Sequence, residues 1–79
     1  MTGRVQVLSR EGCHLCDEAI GVVAEVCADA GESFEVIDVD GHPDLKARHG
    51  DEVPVVMVDG GVVGFWRIQP EALRSALSA

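Results

Sequence analysis

Two of the three cysteines in this chain lie in the stretch Ser9-Arg10-Glu11-Gly12-Cys13-His14-Leu15-Cys16-Asp17-Glu18. Their Cys-x-x-Cys spacing supports three chemistries: a metal half-site, a permanent cross-link, or a dithiol that cycles with its disulfide. A zinc site needs further ligands at short spacing. His42 and His49 are seven residues apart, outside the usual His-x₃₋₅-His window, and there is no second Cys-x-x-Cys. Cys27 lies eleven residues beyond Cys16. On one helix that is about 16 Å along the axis, too far for a disulfide, which needs Cα atoms within about 7 Å. Cys27 therefore reads as a small core hydrophobe.

The elements around the pair decide what it can do. Arg4 to Ser9 alternates and is rich in β-formers, so it reads as a strand, and Gly12 marks a turn. From Cys16 to Ala30 the apolar residues Leu15, Ala19, Val22, Val23, Val26 and Ala30 recur at helical spacing and predict one buried face. Gly31 is placed to end that helix. The pair thus falls where a strand ends and a helix begins. One helical turn brings residues i and i+3 together, and the helix N-terminus offers unpaired N–H groups and partial positive charge, both of which stabilise a thiolate. Cys13 at the tip is the expected nucleophile and Cys16, one turn in, the resolving thiol. Arg10 and a protonated His14 favour the thiolate, whereas Glu11, Asp17 and Glu18 oppose it. The expected result is a Cys13 pKa lowered only modestly, as suits a reductant.

Further along, Phe34 to Val39 reads as a second strand. Asp44 to His49 reads as a short helix with Pro43 near its first position, closed by Gly50. Val53 to Val58 is a nearly all-apolar third strand, predicted to be interior. Asp59-Gly60-Gly61 signals a hairpin leading to a fourth strand from Val62 to Phe65 or Trp66. A last helix opens at Gln69-Pro70-Glu71, with Leu73 and Leu77 on one face. The order is β-α-β-α-β-β-α. An α/β fold follows, with a four-stranded mixed sheet flanked by helices and its first two strands parallel. Residues 1–79 are expected to form a single domain.

Composition bounds the function. Fourteen acids against six bases give a net charge of −8, which disfavours nucleic acid and anionic membrane surfaces as partners. No apolar run is long enough to span a membrane. The first residues lack a continuous apolar segment of the signal-peptide type. The expectation is a cytoplasmic monomer, in a compartment where a cysteine pair is more often catalytic or metal-binding than a staple.

With Cys13-His14-Leu15-Cys16-Asp17 after its first strand, the chain resembles the glutaredoxin-like proteins of the thioredoxin fold, over essentially its whole length. It is most similar to small bacterial members whose active stretch reads Cys-x-Leu-Cys followed by an acid. The resemblance implies a thiol–disulfide oxidoreductase acting on protein or glutathione mixed disulfides. Cys13 and Cys16 would be catalytic, and Arg10, His14, Leu15, Val53 and Pro54 would contact substrate. It further implies that Pro54, before the third strand, is cis and faces the cysteines. The Val53 backbone would then present an edge to the substrate's extended chain. Glu52 stands where that family often has threonine. The acids that hold the amino group of glutathione there have no counterpart after Gly64, where this chain has Phe65 and Trp66. Those two aromatics fit either a docking patch or the core. No tightly bound cofactor or resident metal is expected. Glutathione is a candidate co-substrate, and glutathione or a thioredoxin reductase-type protein a candidate electron donor. The competing reading is a non-catalytic module of the same fold that binds a metal, an iron–sulfur cluster or a protein partner. An arsenate reductase-like enzyme fits less well, since that chemistry rests on one cysteine with a downstream basic cluster.

Overall fold

The computed structural model describes residues 4–78. β1 (Val5–Ser9), rich in β-branched residues, leads through the Gly12 turn into α1 (His14–Ala30). β2 (Phe34–Asp38) follows, then a 3₁₀ turn at Val39–Gly41 and α2 (Pro43–His49). β3 (Val55–Val58), β4 (Gly61–Phe65) and α3 (Pro70–Ser78) complete the chain. The order β-α-β-α-β-β-α and the four-stranded mixed sheet are those expected from the sequence. The strands lie in the order β2-β1-β3-β4. β1 runs parallel to β2, pairing Val7 with Val36, and antiparallel to β3, pairing Val7 with Val56. β3 pairs antiparallel with β4, with an irregularity in register between Val56 and Met57.

Local chemistry sets the element ends. Gly31 takes the left-handed conformation, φ 69°, and its N–H donates to the Ala28 carbonyl, while the Glu32 N–H returns to that of Cys27 at 2.9 Å. This closes α1 in the manner that favours glycine. Asp59 and Gly60 both have positive φ, 52° and 85°, as a tight hairpin of this hand requires. Arg4 donates to Asp59 at 3.0 Å and to Glu32 at 2.9 Å, joining the hairpin to the connection between α1 and β2.

Side-chain alternation along the strands separates two cores. Val5, Val7, Val56 and Val58 face one side and pack with Ala19, Val23, Val26 and Cys27 of α1, and with Ile68 and Leu73. Leu8 and Val55 face the other side, with Val39 and the partly buried Ile37, Leu45 and Met57. The helix face differs from the expected one at its two ends. Leu15 is 36% exposed and Ala30 is exposed, whereas Cys16 is buried; Cys27 is buried, as expected of a small core residue. The inward stripe is therefore Cys16, Ala19, Val23, Val26 and Cys27. The physical reason is that thiols bury as readily as small aliphatics, so Cys16 takes the inward position in the first turn and its neighbour Leu15 faces outward. Burial and the nearby Glu32 charge push the Cys27 thiol up, so it stays protonated.

Gly21 sits in the middle of α1, exposed, and a β-carbon there would meet nothing. Gly21→Ala should therefore raise the unfolding free energy by about 0.5–1 kcal/mol, measured by urea denaturation. Leu73 is fully buried and ties α3 to the larger core. Leu73→Ala should lower the same quantity by about 2–5 kcal/mol, a large fraction of the ~5–15 kcal/mol that holds a typical domain folded.

Candidate active site

Cys13 is the N-cap of α1, with extended backbone angles. The Cys16 N–H donates to the Cys13 sulfur at 3.1 Å. One of the otherwise unpartnered amides of the helix N-terminus is thereby aimed at the sulfur. Cys13 and Cys16 form a disulfide with Cα atoms 5.2 Å apart, inside the range such a bond requires. The cysteines differ in access: Cys16 is 2% exposed, while Cys13 is half-buried at the surface. In the reduced protein the same amide and the helix dipole face the Cys13 thiolate. Cys27 is free and buried, outside this pair.

The other residues singled out from the sequence fall into three groups. His14 and Leu15 lie between the cysteines at the exposed start of α1. The Val53–Pro54 peptide bond is cis. Pro54 is fully buried, Val53 is half-buried, and among the described residues the Val53 backbone makes no hydrogen bond. Leu15 and Val53 line one open cleft of about 400 Å³ together with Phe65, Trp66 and Arg67. This joins the Cys-x-x-Cys turn to the approach to β3, although the two are far apart in the chain.

Arg10 is held by an acid of the turn after β2. Its guanidinium pairs with Asp40 at 3.1 Å, and Lys46 pairs with the same carboxylate at 3.4 Å. Desolvation raises the Asp40 pKa, but hydrogen bonds from Arg10 and Lys46, together with their charges, outweigh it and hold the carboxyl below its ordinary value. The positive charge of Arg10 is therefore already partnered. Asp38 accepts from the Asp40 N–H at 2.9 Å and shapes the 3₁₀ turn, and that turn presents Asp40 to Arg10. His49 contacts Glu52 at 3.2 Å, and His42 caps α2 without a side-chain hydrogen bond. Among the described residues, no group of three or more His, Cys, Asp or Glu side chains is placed to hold a metal ion.

Phe65 and Trp66 are both exposed, 47% and 54%, and pack edge to face with centroids 5.5 Å apart. That decides the open alternative between patch and core in favour of the surface. Arg67, which completes the cleft, carries no motif that distinguishes it in the sequence. Its only signal is its position directly after two aromatics at a strand end.

A four-stranded mixed sheet with a disulfide-bonded cysteine pair at the β1–α1 junction defines a thioredoxin-fold protein. The family model described as Glutaredoxin-like domain (DUF836) matches residues 4–78, and the chain belongs to that family. An uncharacterized protein of Mycobacterium tuberculosis is 34% identical over 80 residues, covering 95% of this chain and 82% of the relative. The solution structure of a Nitrosomonas europaea protein superimposes with a TM-score of 0.79 at 27% identity, covering 95% of this chain and 91% of that one. Oxidized glutaredoxin 2 of Chlamydomonas reinhardtii, at 21% identity, shares the fold with a TM-score of 0.56 over 96% of this chain and 72% of that one.

Removing the Asp40 charge should leave more positive potential at the start of α1. In the reduced protein, Asp40→Asn is expected to lower the Cys13 titration midpoint by a few tenths of a pH unit, read from the ultraviolet absorbance of the thiolate. The shift should shrink as salt is added. An unchanged midpoint at low salt would show that the Arg10–Asp40 pair is not coupled to the sulfur.

Proposed function

We propose that this protein is a thiol–disulfide oxidoreductase that reduces protein or glutathione mixed disulfides. The observation that carries this reading is the asymmetry of the cysteine pair. An accessible sulfur at the helix cap receives a backbone N–H, and a buried partner lies one turn away within bonding reach. That is the arrangement sequential exchange needs. The Cys13 thiolate attacks one sulfur of the substrate disulfide; the new S–S bond forms as the old one breaks, and the departing thiolate takes a proton from water. Cys16, as thiolate, then attacks the Cys13 sulfur and expels the second substrate thiol. Two electrons pass to the substrate, and the Cys13–Cys16 disulfide remains. A thiol donor, either glutathione or the dithiol of a thioredoxin reductase-type protein, returns the pair to its reduced form.

The Val53 backbone, without a hydrogen bond among the described residues, supports a role in aligning an extended substrate chain beside Pro54. Leu15 lines the same cleft as Val53, and His14 lies between the cysteines at the exposed start of α1. Arg10 acts through its pairing with Asp40 to adjust the potential at Cys13, in place of direct contact with substrate. The protein works as a monomer in the cytoplasm without a tightly bound cofactor, in keeping with its use of a cysteine pair for exchange.

Cys16→Ser should stall the reaction after its first half and accumulate disulfide-linked adducts on Cys13, resolved by non-reducing electrophoresis and mass spectrometry. Cys13→Ser should form none and lose turnover. A coupled assay offering either glutathione with its reductase or thioredoxin reductase then identifies the donor. Stoichiometric zinc or an iron–sulfur chromophore in the purified protein, with no titratable two-electron couple, would overturn the proposal.

A further inference from the structure

The wall beside the cysteine pair is made of aromatic surface that the fold leaves outside its core. The chain has two phenylalanines, one tryptophan and no tyrosine, and it places Phe65 and Trp66 together on this patch, each about half exposed. Trp66 has φ 64°, a left-handed conformation that is unfavourable for a bulky side chain. Its N–H donates to the Pro54 carbonyl at 2.9 Å, which ties this geometry to the residue that follows Val53. The ring gains little burial in return, and strain of this kind concentrates at ligand clamps.

The cleft that Trp66 shapes is continuous with the redox site at two points. Leu15 belongs to the Cys-x-x-Cys turn, and Val53 precedes Pro54. Its lining is apolar except for Arg67. No carboxylate among the described residues pairs with Arg67. In a chain of net charge −8, an acidic surface at large is repelled. A single carboxylate brought to this one cation is favoured, because a guanidinium at an apolar rim binds carboxylate well.

We infer that this cleft sets the choice of client. It takes an extended protein segment in which a bulky apolar residue flanks the disulfide cysteine and a nearby carboxylate reaches Arg67, in preference to glutathione. Trp66 is the specificity-determining residue, its ring packing on the apolar side chain. The inference rests on the thiol–disulfide reading above, and the exchange step is the one already balanced there.

Two peptides test it, each carrying one cysteine in mixed disulfide with glutathione, and dithiothreitol serves as the reductant. One peptide has phenylalanine and aspartate around its cysteine; the other has glycine on both sides. Wild-type protein should favour the first in kcat/KM by about tenfold, mostly through KM. Trp66→Gly, which suits the left-handed backbone, and Arg67→Glu should bring that ratio toward unity, with thermal unfolding confirming that both variants fold. Equal turnover of the two peptides by the wild type, or a preference that survives Trp66→Gly, overturns the inference.

A second readout is independent of turnover. Trp66 is the sole tryptophan, so its emission reports the cleft. Serine-for-cysteine versions of the peptides are titrated into protein carrying Cys13→Ser and Cys16→Ser. The apolar acidic peptide should shift the emission and the glycine peptide should not. No shift, an equal shift with glutathione, or a shift with protein concentration alone accompanied by a dimer in sedimentation each overturns the inference. Absence of turnover with every disulfide refutes the redox reading instead, and the fluorescence titration then decides the cleft's selectivity on its own.

Discussion

β1 has to be covered on both faces. Val5 and Val7 point to one side and Leu8 to the other, and all three are at most 1% exposed. A five-residue strand that buries both faces requires neighbours on both edges and helices above and below. β2 and β3 supply the edges. α1 and α3 cover one face, while the Val39 turn and Leu45 of α2 cover the other. The rest of the architecture follows from satisfying this one short segment.

The same constraint positions the chemistry. β1 must give way to α1 at its C-terminal end, because α1 packs back along the sheet and returns the chain to β2 for parallel pairing. The Gly12 turn and the Cys13 cap are the hinge of that reversal. Cys13 thereby receives an orphan amide of the helix, while Cys16, one turn later, falls on the buried stripe with Ala19 and Val23. The difference in access between the two sulfurs is a by-product of helix packing. No further residue is needed to create it.

The surroundings of the pair come from farther away. Asp40 holds Arg10 across 30 residues, and the aromatic wall comes from the end of β4. The pairing of β3 with β4 brings Phe65 opposite Val55, and the Trp66 N–H extends that pairing to the Pro54 carbonyl. The two surroundings are distinct in origin. One is charged and comes from the connection after β2; the other is largely apolar and comes from the strand at the sheet edge.

Local rules were enough for much of this. Alternation in Val5–Ser9, helical spacing after Cys16, the Asp59-Gly60 hairpin and the Gly31 stop are short-range signals, and each depends on backbone geometry within a few residues. The cysteine spacing and its place between strand and helix were equally local. The sequence by itself therefore determined the order of elements, the fold class and the identity of the sulfur pair. Only the tertiary structure decided that Leu15 leaves the helix's buried face, that Arg10 is partnered by Asp40, and that Phe65 and Trp66 stand at the surface beside Arg67. Those outcomes depend on which elements end up adjacent. No pattern within a single segment encodes that, because burial and ion pairing are properties of contacts between segments.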